Sequence, residues 1–184
     1  LQKIALDALK ENVEAAQKEE SYGSQCTGSV VVLDVNDFSV LCAQSYPNYD
    51  LDKYMNDPQY REDLLLNKDG QNAMWNRCFW QGYPIGSAMK PAVALAALQE
   101  GVIDTSTQFR CGYTYYNADM PDFHPLCMGT HGYLNVIEAL TVSCNIFFYD
   151  TGYNLGIDNM NLYQRKLGLG ELTGVEIYES DGTL

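Results

Sequence analysis

The chain has 184 residues, of which 46% are hydrophobic, and this is enough for one domain with a buried core. It has 11 Lys and Arg against 24 Asp and Glu, a formal net charge of −13 spread along the chain, which makes nucleic acid an unsuitable partner. No apolar run approaches the ~18 residues that cross a bilayer, and the N-terminus has no basic-then-apolar targeting pattern, so a membrane anchor is expected only outside this chain.

The N-terminal quarter predicts one helix and one hairpin. Over residues 1–20, apolar residues recur at helical spacing and charged residues mostly take the other face, which predicts an amphipathic helix that ends at the Tyr-Gly-Ser of residues 22–24. An apolar run at 29–35, an Asn-Asp turn and a second run at 38–45 predict two strands joined in a hairpin. The predicted packing stripe of the helix consists of Leu1, Ile4, Ala5, Ala8 and Leu9.

The middle of the chain predicts a long connection and then a buried helix. Residues 46–80 have no hydrophobic period and contain several turn residues, which predicts a loop that crosses the molecule and lines the rim of a cleft. Residues 87–100 have few polar positions, so we expect a helix buried nearly all round, with Gly101 as its stop. Pro91 cannot donate a hydrogen bond to the carbonyl of Ser87, which predicts a distorted first turn.

The C-terminal half predicts mostly helices. Residues 105–132 are irregular and rich in Tyr, while the patterns at 134–142, 145–155 and 158–166 each predict a helix, and residues 173–178 look extended. Strands followed by a run of helices indicate an α+β fold with a helical excursion.

Two short motifs carry candidate chemistry. Ser87 and Lys90 are three residues apart, so on a helix the hydroxyl and the amine share one face, and the amine can take the proton of the hydroxyl. Ser143 and Asn145 supply a second hydroxyl and a carboxamide at the joint between two predicted helices. Taken alone, Ser87 is also typical of an N-cap, Lys90 of a solvated side chain and Asn145 of a helix cap.

The segments around these motifs resemble one known family. The chain is similar to the transpeptidase domain of penicillin-binding proteins, particularly the elongation-type members of class B, and the similarity covers most of its length. The segments that carry it, in chain order, are SVVVLDVNDFSVLCAQSYPNYD, the Asn76-Arg77 pair, YPIGSAMKPAVALAALQEGVI, HGYLNVIEALTVSCNIFFYDTGYNLGID and KLGLGELTGVEI.

The resemblance implies a role for each motif residue. Ser87 would be the acylated nucleophile and Lys90, desolvated on the same helical face, the base that takes its proton. Ser143 would relay the proton to the leaving amine, and Asn145 would hold the amide of the donor peptide. The backbone amide of Ser87 would form one arm of an oxyanion hole.

The resemblance also implies a partial domain. The family's third motif, Lys-Thr-Gly, does not occur in the sequence; the near-match Lys68-Asp69-Gly70 precedes the nucleophile. We therefore expect an N-terminal part of the transpeptidase and serine β-lactamase-like fold, with its remaining strands beyond Leu184 and little or no activity by itself. Its expected parts are a helix and hairpin at 1–45, a connecting cleft segment at 46–86, a helical subdomain at 87–170 and a return toward the sheet at 171–184.

The implied function is cross-linking of peptidoglycan stem peptides by a D,D-transpeptidase that β-lactam antibiotics acylate. It needs no cofactor for its chemistry, and implies an extracytoplasmic, membrane-anchored protein in a bacterial cell-wall synthesis complex. Two alternatives stay open: a β-lactamase or β-lactam sensor of the same fold, and a non-catalytic zinc-binding structural module.

Four soft ligands cluster in sequence near the second motif: Cys111, Cys127, His131 and Cys144. Thiols and an imidazole are the ligands of closed tetrahedral zinc sites, and some elongation-type members of the family carry zinc in this neighbourhood, so the set predicts a structural zinc. A Cys111–Cys127 disulfide and plain core packing are the alternatives, and His124 is a weaker candidate ligand than His131.

The aromatic residues before the nucleophile have two interpretations. Trp75, Phe79, Trp80 and Tyr83 could line a groove for glycan or stem peptide, but aromatic residues near a buried helix are more often part of the core, which is the interpretation we favour.

Overall fold

The computed structural model describes residues 1–19 and 26–184, so the predicted helix end at 22–24 lies outside the described residues. The described part divides into two compact units, residues 1–82 with 174–180 and residues 83–173 with 181–184. No helix in this part of the chain has the length and apolar character needed to cross a membrane. In chain order the elements are α1 (Gln2–Ala16), β1 (Gly28–Leu33), β2 (Val40–Tyr46), α2 (Leu51–Asn56), α3 (Pro58–Leu65), a 3₁₀ turn (Gly86–Met89), α4 (Lys90–Gln99), β3 (Phe109–Cys111), β4 (Gly132–Leu134), α5 (Val136–Thr141), α6 (Asn145–Leu155) and α7 (Ile157–Lys166).

In the first unit, α1 packs on the hairpin that the sequence predicts. Strands β1 and β2 pair antiparallel, and Gly28 faces the helix so closely that a Cβ there would lie 3.0 Å from side-chain atoms of Leu9 and Val13. Val13 is buried, whereas Leu1 and Ile4 are 63% and 72% exposed, so the predicted stripe is wrong at its N-terminal end. The buried position of the helix, Val13, lies in its C-terminal half, although the hairpin also reaches the first turn, where Gln2 Oε1 accepts hydrogen bonds from Cys42 and Gln44.

The connection that follows the hairpin contains two short helices that the sequence analysis missed. The side chain of Asp50 accepts a hydrogen bond from the backbone of Lys53 and caps α2, and Asp57 caps α3 by accepting from Gln59 and Tyr60. Pro58 at the first position of α3 is also a standard start signal. Both helices were overlooked because they have six and eight residues, too few for a clear hydrophobic period.

Arg77 organises the rest of this connection. Its side chain is only 7% exposed and has no carboxylate partner among its described contacts; it donates instead to the carbonyls of Gln71 (2.6 Å), Asn72 (3.2 Å) and Trp75 (3.2 Å). A buried charge satisfied in this way fixes the backbone around it. These bonds hold the backbone of residues 71–75, which form no helix or strand.

The core of the second unit lies among α4, α6 and the β3–β4 ribbon. Ala97, Ala139 and Phe147 are each at most 1% exposed, and the Phe147 ring packs against Phe109 of β3 with centroids 5.2 Å apart. Helix α4 is not buried all round as predicted, because Leu95 and Leu98 are 50% and 38% exposed. The described elements pack on one face of α4 only.

The start of α4 has the predicted distortion. The backbone N–H of Lys90 donates to the carbonyl of Ser87, three residues back, in the 3₁₀ turn, and Pro91 occupies the first turn of the α-helix. A 3₁₀ turn does not need the donor that proline lacks. Ser87 therefore lies in a tighter turn than an α-helix would provide.

A short ribbon replaces part of the segment predicted to be irregular. Strand β3 pairs antiparallel with β4, and Cys111 lies opposite Gly132. The pairing brings Cys111 next to His131, which precedes β4 in the chain. Residues 173–178 form no strand in the described part of the chain.

Candidate active site and metal centre

Lys90 joins the two predicted motifs. From the first residue of α4, its Nζ donates to the carbonyl oxygen of Ser143 (2.6 Å), to the hydroxyl of Ser143 (3.0 Å) and to Oδ1 of Asn145 (2.7 Å). The ammonium also lies 5.7 Å from the centroid of the Phe148 ring. Three of the four predicted catalytic and substrate-binding residues thus meet through direct hydrogen bonds.

The backbone of the second motif is strained at Ser143, and the hydrogen bonds from Lys90 stabilise this strained conformation. Ser143 has φ of +51°, in the left-handed region that non-glycine residues seldom adopt at a cost of about 1–3 kcal/mol. The N–H of Ser143 bonds to the carbonyl of Leu140 at the end of α5, and Cys144 is the N-cap of α6. The sharp turn between two helices presents the Ser143 carbonyl and hydroxyl together to Lys90.

The protonation state of Lys90 decides what this network can do. Burial lowers the pKa of Lys90 below its usual 10.5, while the sulfurs of Cys127 and Cys144 act in the opposite direction. An ammonium uses all three N–H donors on the three oxygens found here. Two of these are carbonyl oxygens, but the Ser143 hydroxyl can donate as well as accept, so a neutral Lys90 can keep the same partners and accept a proton through Ser143.

Ser87 lies one turn before Lys90 and is accessible. Ser87 is exposed, and its hydroxyl forms no hydrogen bond with any residue in 1–19 or 26–184. Gly86 immediately before it has φ of +60°, a conformation that suits glycine. The hydroxyl is thus free to approach a substrate.

The four predicted metal ligands come together behind the second motif. The sulfur and nitrogen atoms of Cys111, Cys127, His131 and Cys144 all lie within 4.8 Å of one another, and the three cysteines are buried. The six cysteines of the chain are free thiols, so the Cys111–Cys127 disulfide considered from the sequence is not present in the structure.

The spacing of these atoms fits a tetrahedral zinc ion. Bonds of about 2.3 Å to sulfur and about 2.0–2.1 Å to nitrogen imply tetrahedron edges of about 3.8 Å between two sulfurs and about 3.6 Å between sulfur and nitrogen. His131 Nδ1 is 3.4 Å from the sulfur of Cys111 and 3.5 Å from that of Cys127, and the sulfurs of Cys127 and Cys144 are 3.9 Å apart. Three of the six distances between donor atoms are therefore within about 0.2 Å of the tetrahedral edges, and all six are at most 4.8 Å.

Charge around the cluster also favours a cation. Burial raises the pKa of Cys144, and the neighbouring sulfurs raise it further. Burial acts in the same direction on Cys127, but backbone N–H groups, among them that of Asn145, outweigh it and hold the pKa of Cys127 below its usual 9.0. One thiolate therefore opposes the ionisation of the next, and a divalent ion would remove this opposition.

A hydrogen bond connects the cluster to the candidate active site. The backbone N–H of Asn145 donates to the sulfur of Cys127 at 3.3 Å, and the Asn145 side chain donates to the carbonyl of Leu126 at 3.1 Å while its oxygen accepts from Lys90. Sequence reasoning missed Leu126 and Phe148 as parts of the site, because neither residue type indicates such a contact. His124 lies outside the cluster, with Nδ1 at 3.2 Å from the Tyr115 carbonyl.

The comparison with protein families decides the classification. A family model described as the penicillin binding protein transpeptidase domain matches residues 28–183. The chain belongs to this family. The match confirms the expected family and the partial transpeptidase fold.

Curated relatives of the chain carry the same description. It is 34% identical over 153 residues to the peptidoglycan D,D-transpeptidase MrdA of Haemophilus influenzae, an alignment of 83% of this chain and 24% of that protein. It is 32% identical over 152 residues to MrdA of Escherichia coli K12, which aligns 82% of this chain and 24% of that protein. The chain spans about a quarter of the length of these relatives.

Solved structures of penicillin-binding proteins share the fold. The complex of Pseudomonas aeruginosa PBP2 with WCK 5153 matches with a TM-score of 0.75 and 27% identity over 96% of this chain and 39% of that chain. A structure described as showing the structural coordination of polymerization and crosslinking by a peptidoglycan synthase complex matches with a TM-score of 0.79 and 28% identity over 100% of this chain and 32% of that chain.

The hydrogen bonds of Lys90 predict a local effect of its removal. In a Lys90→Met variant the Ser143 carbonyl loses its charged partner, so we expect the strained turn to open more often and backbone amides 143–146 to exchange about 5- to 100-fold faster in hydrogen–deuterium exchange. The control is Lys3→Met, which removes an exposed lysine of α1 and should leave these amides unchanged. Equal exchange in the Lys90→Met variant and the unmodified chain would contradict the role of these bonds.

Proposed function

We propose that this chain is the nucleophile-bearing part of a peptidoglycan D,D-transpeptidase of the elongation type. The observation that carries the proposal is the set of three hydrogen bonds from Lys90 to Ser143 and Asn145, with Ser87 in the preceding turn. Family membership and the description of the relatives as D,D-transpeptidases support it.

In the proposed reaction, Ser87 Oγ attacks the carbonyl carbon of the D-Ala–D-Ala bond in a donor stem peptide. Its proton passes to neutral Lys90 and then through the Ser143 hydroxyl to the leaving D-alanine amine, so the amide bond breaks and a serine ester remains. The amine of a neighbouring strand then attacks the ester, which forms the cross-link and restores Ser87. Asn145 holds the donor amide, and the backbone N–H of Ser87 stabilises the oxyanion.

β-Lactams would acylate the same serine, because their strained amide presents a carbonyl to the same nucleophile.

The proposed setting is the outer face of a bacterial cell membrane, with an anchor outside these residues and partners in a cell-wall synthesis complex. The solved neighbour described as a peptidoglycan synthase complex supports this last point. In this family the second arm of the oxyanion hole comes from the strand that follows the Lys-Thr-Gly motif, and loss of one such donor costs about 100- to 1,000-fold in rate.

Labelling with a fluorescent penicillin tests the acylation step. The protein translated from the complete reading frame is labelled, with the 184-residue chain in parallel, and a Ser87→Ala variant should lose the label because no nucleophile remains. The matched control is Ser29→Ala, an exposed serine on β1, which should keep it. A label that persists for many minutes supports a transpeptidase, whereas rapid loss of the label by hydrolysis supports a β-lactamase. Labelling of the Ser87→Ala variant would contradict the assignment of Ser87 as the nucleophile.

We further propose that Cys111, Cys127, His131 and Cys144 hold a structural zinc. The ion would cross-link the β3–β4 ribbon to the N-terminus of α6 and take no part in the bond-making steps. Because the Cys127 sulfur accepts the N–H of Asn145, ordering of the cluster also orders the second motif. The chemistry of the four donors, and three donor–donor distances close to those of a tetrahedral zinc site, support this proposal.

Elemental analysis of protein purified without chelator tests the zinc. We expect about one equivalent of zinc in the unmodified protein and in His124→Asn, and well below half an equivalent in His131→Asn. The two variants are matched because these are the only histidines in the sequence. Chelation should also lower the melting temperature of the unmodified protein, since zinc binds the folded state. Zinc well below one equivalent in the unmodified protein would end the proposal.

A further inference from the structure

The first unit contains a pocket that the proposed transpeptidase chemistry does not use. It has a volume of about 410 Å³, within the range of about 300–1,000 Å³ typical of ligand sites. It lies between the end of β2, the start of α2 and the segment organised by Arg77. Its lining includes Ser45, Asn48, Tyr49, Trp75, Asn76 and Trp80.

The two tryptophans in this pocket are partly exposed, contrary to the expectation that they belong to the core. Trp75 and Trp80 are 37% and 36% exposed, and their rings meet edge to face with centroids 5.5 Å apart and an interplanar angle of 89°. In this edge-to-face pair the edge of one indole covers one face of the other, and the two faces of the first indole are not covered by its partner. The electron-rich face of an indole attracts the polarised C–H groups of a ring that lies flat on it.

The pocket is neutral although the chain is strongly acidic. None of the described residues that line it carries a charge, in a chain with a net charge of −13. Its polar groups are amides and hydroxyls: the Asn48 side chain and the Nδ2 of Asn76 form no hydrogen bond with the described residues. Such a lining offers nothing to balance the charge of a phosphate, a carboxylate or an amine, and so disfavours a charged peptide.

The walls of the pocket are held in place before any ligand binds. The Ser45 hydroxyl accepts the backbone N–H of Arg77 (3.2 Å) and donates to the carbonyl of Trp75 (3.1 Å). Trp80 also packs against the ring of Tyr178, with centroids 6.4 Å apart. A preformed site loses little conformational entropy on binding, which favours even a small ligand.

We propose that this pocket binds a neutral N-acetylated pyranose sugar of a glycan strand. The flat C–H face of the sugar ring lies on an indole, and the N-acetyl and hydroxyl groups bond to the free amides of Asn48 and Asn76. An uncharged amphipathic ring with a secondary amide matches both the tryptophan pair and the neutral polar rim. The site goes beyond the acylation chemistry and does not depend on Ser87.

Intrinsic fluorescence gives a direct test, because the two tryptophans of the sequence both line the pocket. The full chain is titrated with chitotetraose, an uncharged tetramer of N-acetylglucosamine, and we expect a saturable change in tryptophan emission. Asn48→Ala should weaken binding about fivefold and Trp80→Leu about tenfold, since each removes one of the two kinds of contact. Asn56→Ala, an exposed asparagine in the same unit but outside the pocket, should bind like the unmodified chain.

Three outcomes would overturn the proposal. These are the absence of a saturable change up to about 20 mM sugar, equal affinity in Asn48→Ala and the unmodified chain, and saturation by a charged pentapeptide ending in D-Ala-D-Ala but not by chitotetraose. Circular dichroism checks that each variant is folded, and the mild Asn48→Ala change keeps the test decisive if Trp80→Leu does not fold. A Ser87→Ala variant that still binds the sugar separates this result from the outcome of penicillin labelling.

Discussion

The candidate active site depends on the position of one ammonium group. Lys90 begins α4 and holds Ser143 and Asn145, which lie more than 50 residues further along the chain, through bonds of 2.6–3.0 Å. The shared core of α4 and α6 brings the two motifs close together, and these bonds set the positions of their polar groups. The strained turn at Ser143 and the 3₁₀ turn at Ser87 both lie next to Lys90. Both backbone distortions therefore occur at the residues that surround the ammonium group.

The metal cluster and the catalytic network share Asn145. Its backbone N–H binds the Cys127 sulfur, and its side-chain oxygen binds Lys90, so the residue lies between the two sets of groups. Cys144 lies between Ser143 and Asn145 in the chain. Its side chain belongs to the ligand cluster, whereas the side chains of its two neighbours bond to Lys90. A structural ion on one side would thus restrict the motion of the reactive groups on the other.

Much of this arrangement follows from the sequence, and the failures have physical causes. Helix α6 was predicted with its observed bounds because Asn145–Leu155 is long and apolar, and the distortion at Ser87 followed from the missing donor of Pro91. Helices α2 and α3 were missed because short helices depend on capping by Asp50 and Asp57 more than on periodicity. The β3–β4 ribbon depends on a pairing across 20 intervening residues, Cys111 to Gly132, and no local pattern encodes it. Arg77 was noted only as part of a family motif; its wrapping by three carbonyls becomes visible only in three dimensions.

A double-mutant cycle between Lys90 and Asn145 tests most directly whether their bond unites the two motifs. The free energies of unfolding in urea are compared for the unmodified chain, Lys90→Met, Asn145→Ala and the double variant. A charge-assisted hydrogen bond between partly buried partners predicts a coupling energy of about 1–3 kcal/mol, with the double variant less destabilised than the sum of the two single changes. Additive effects, with a coupling energy near zero, would contradict the account.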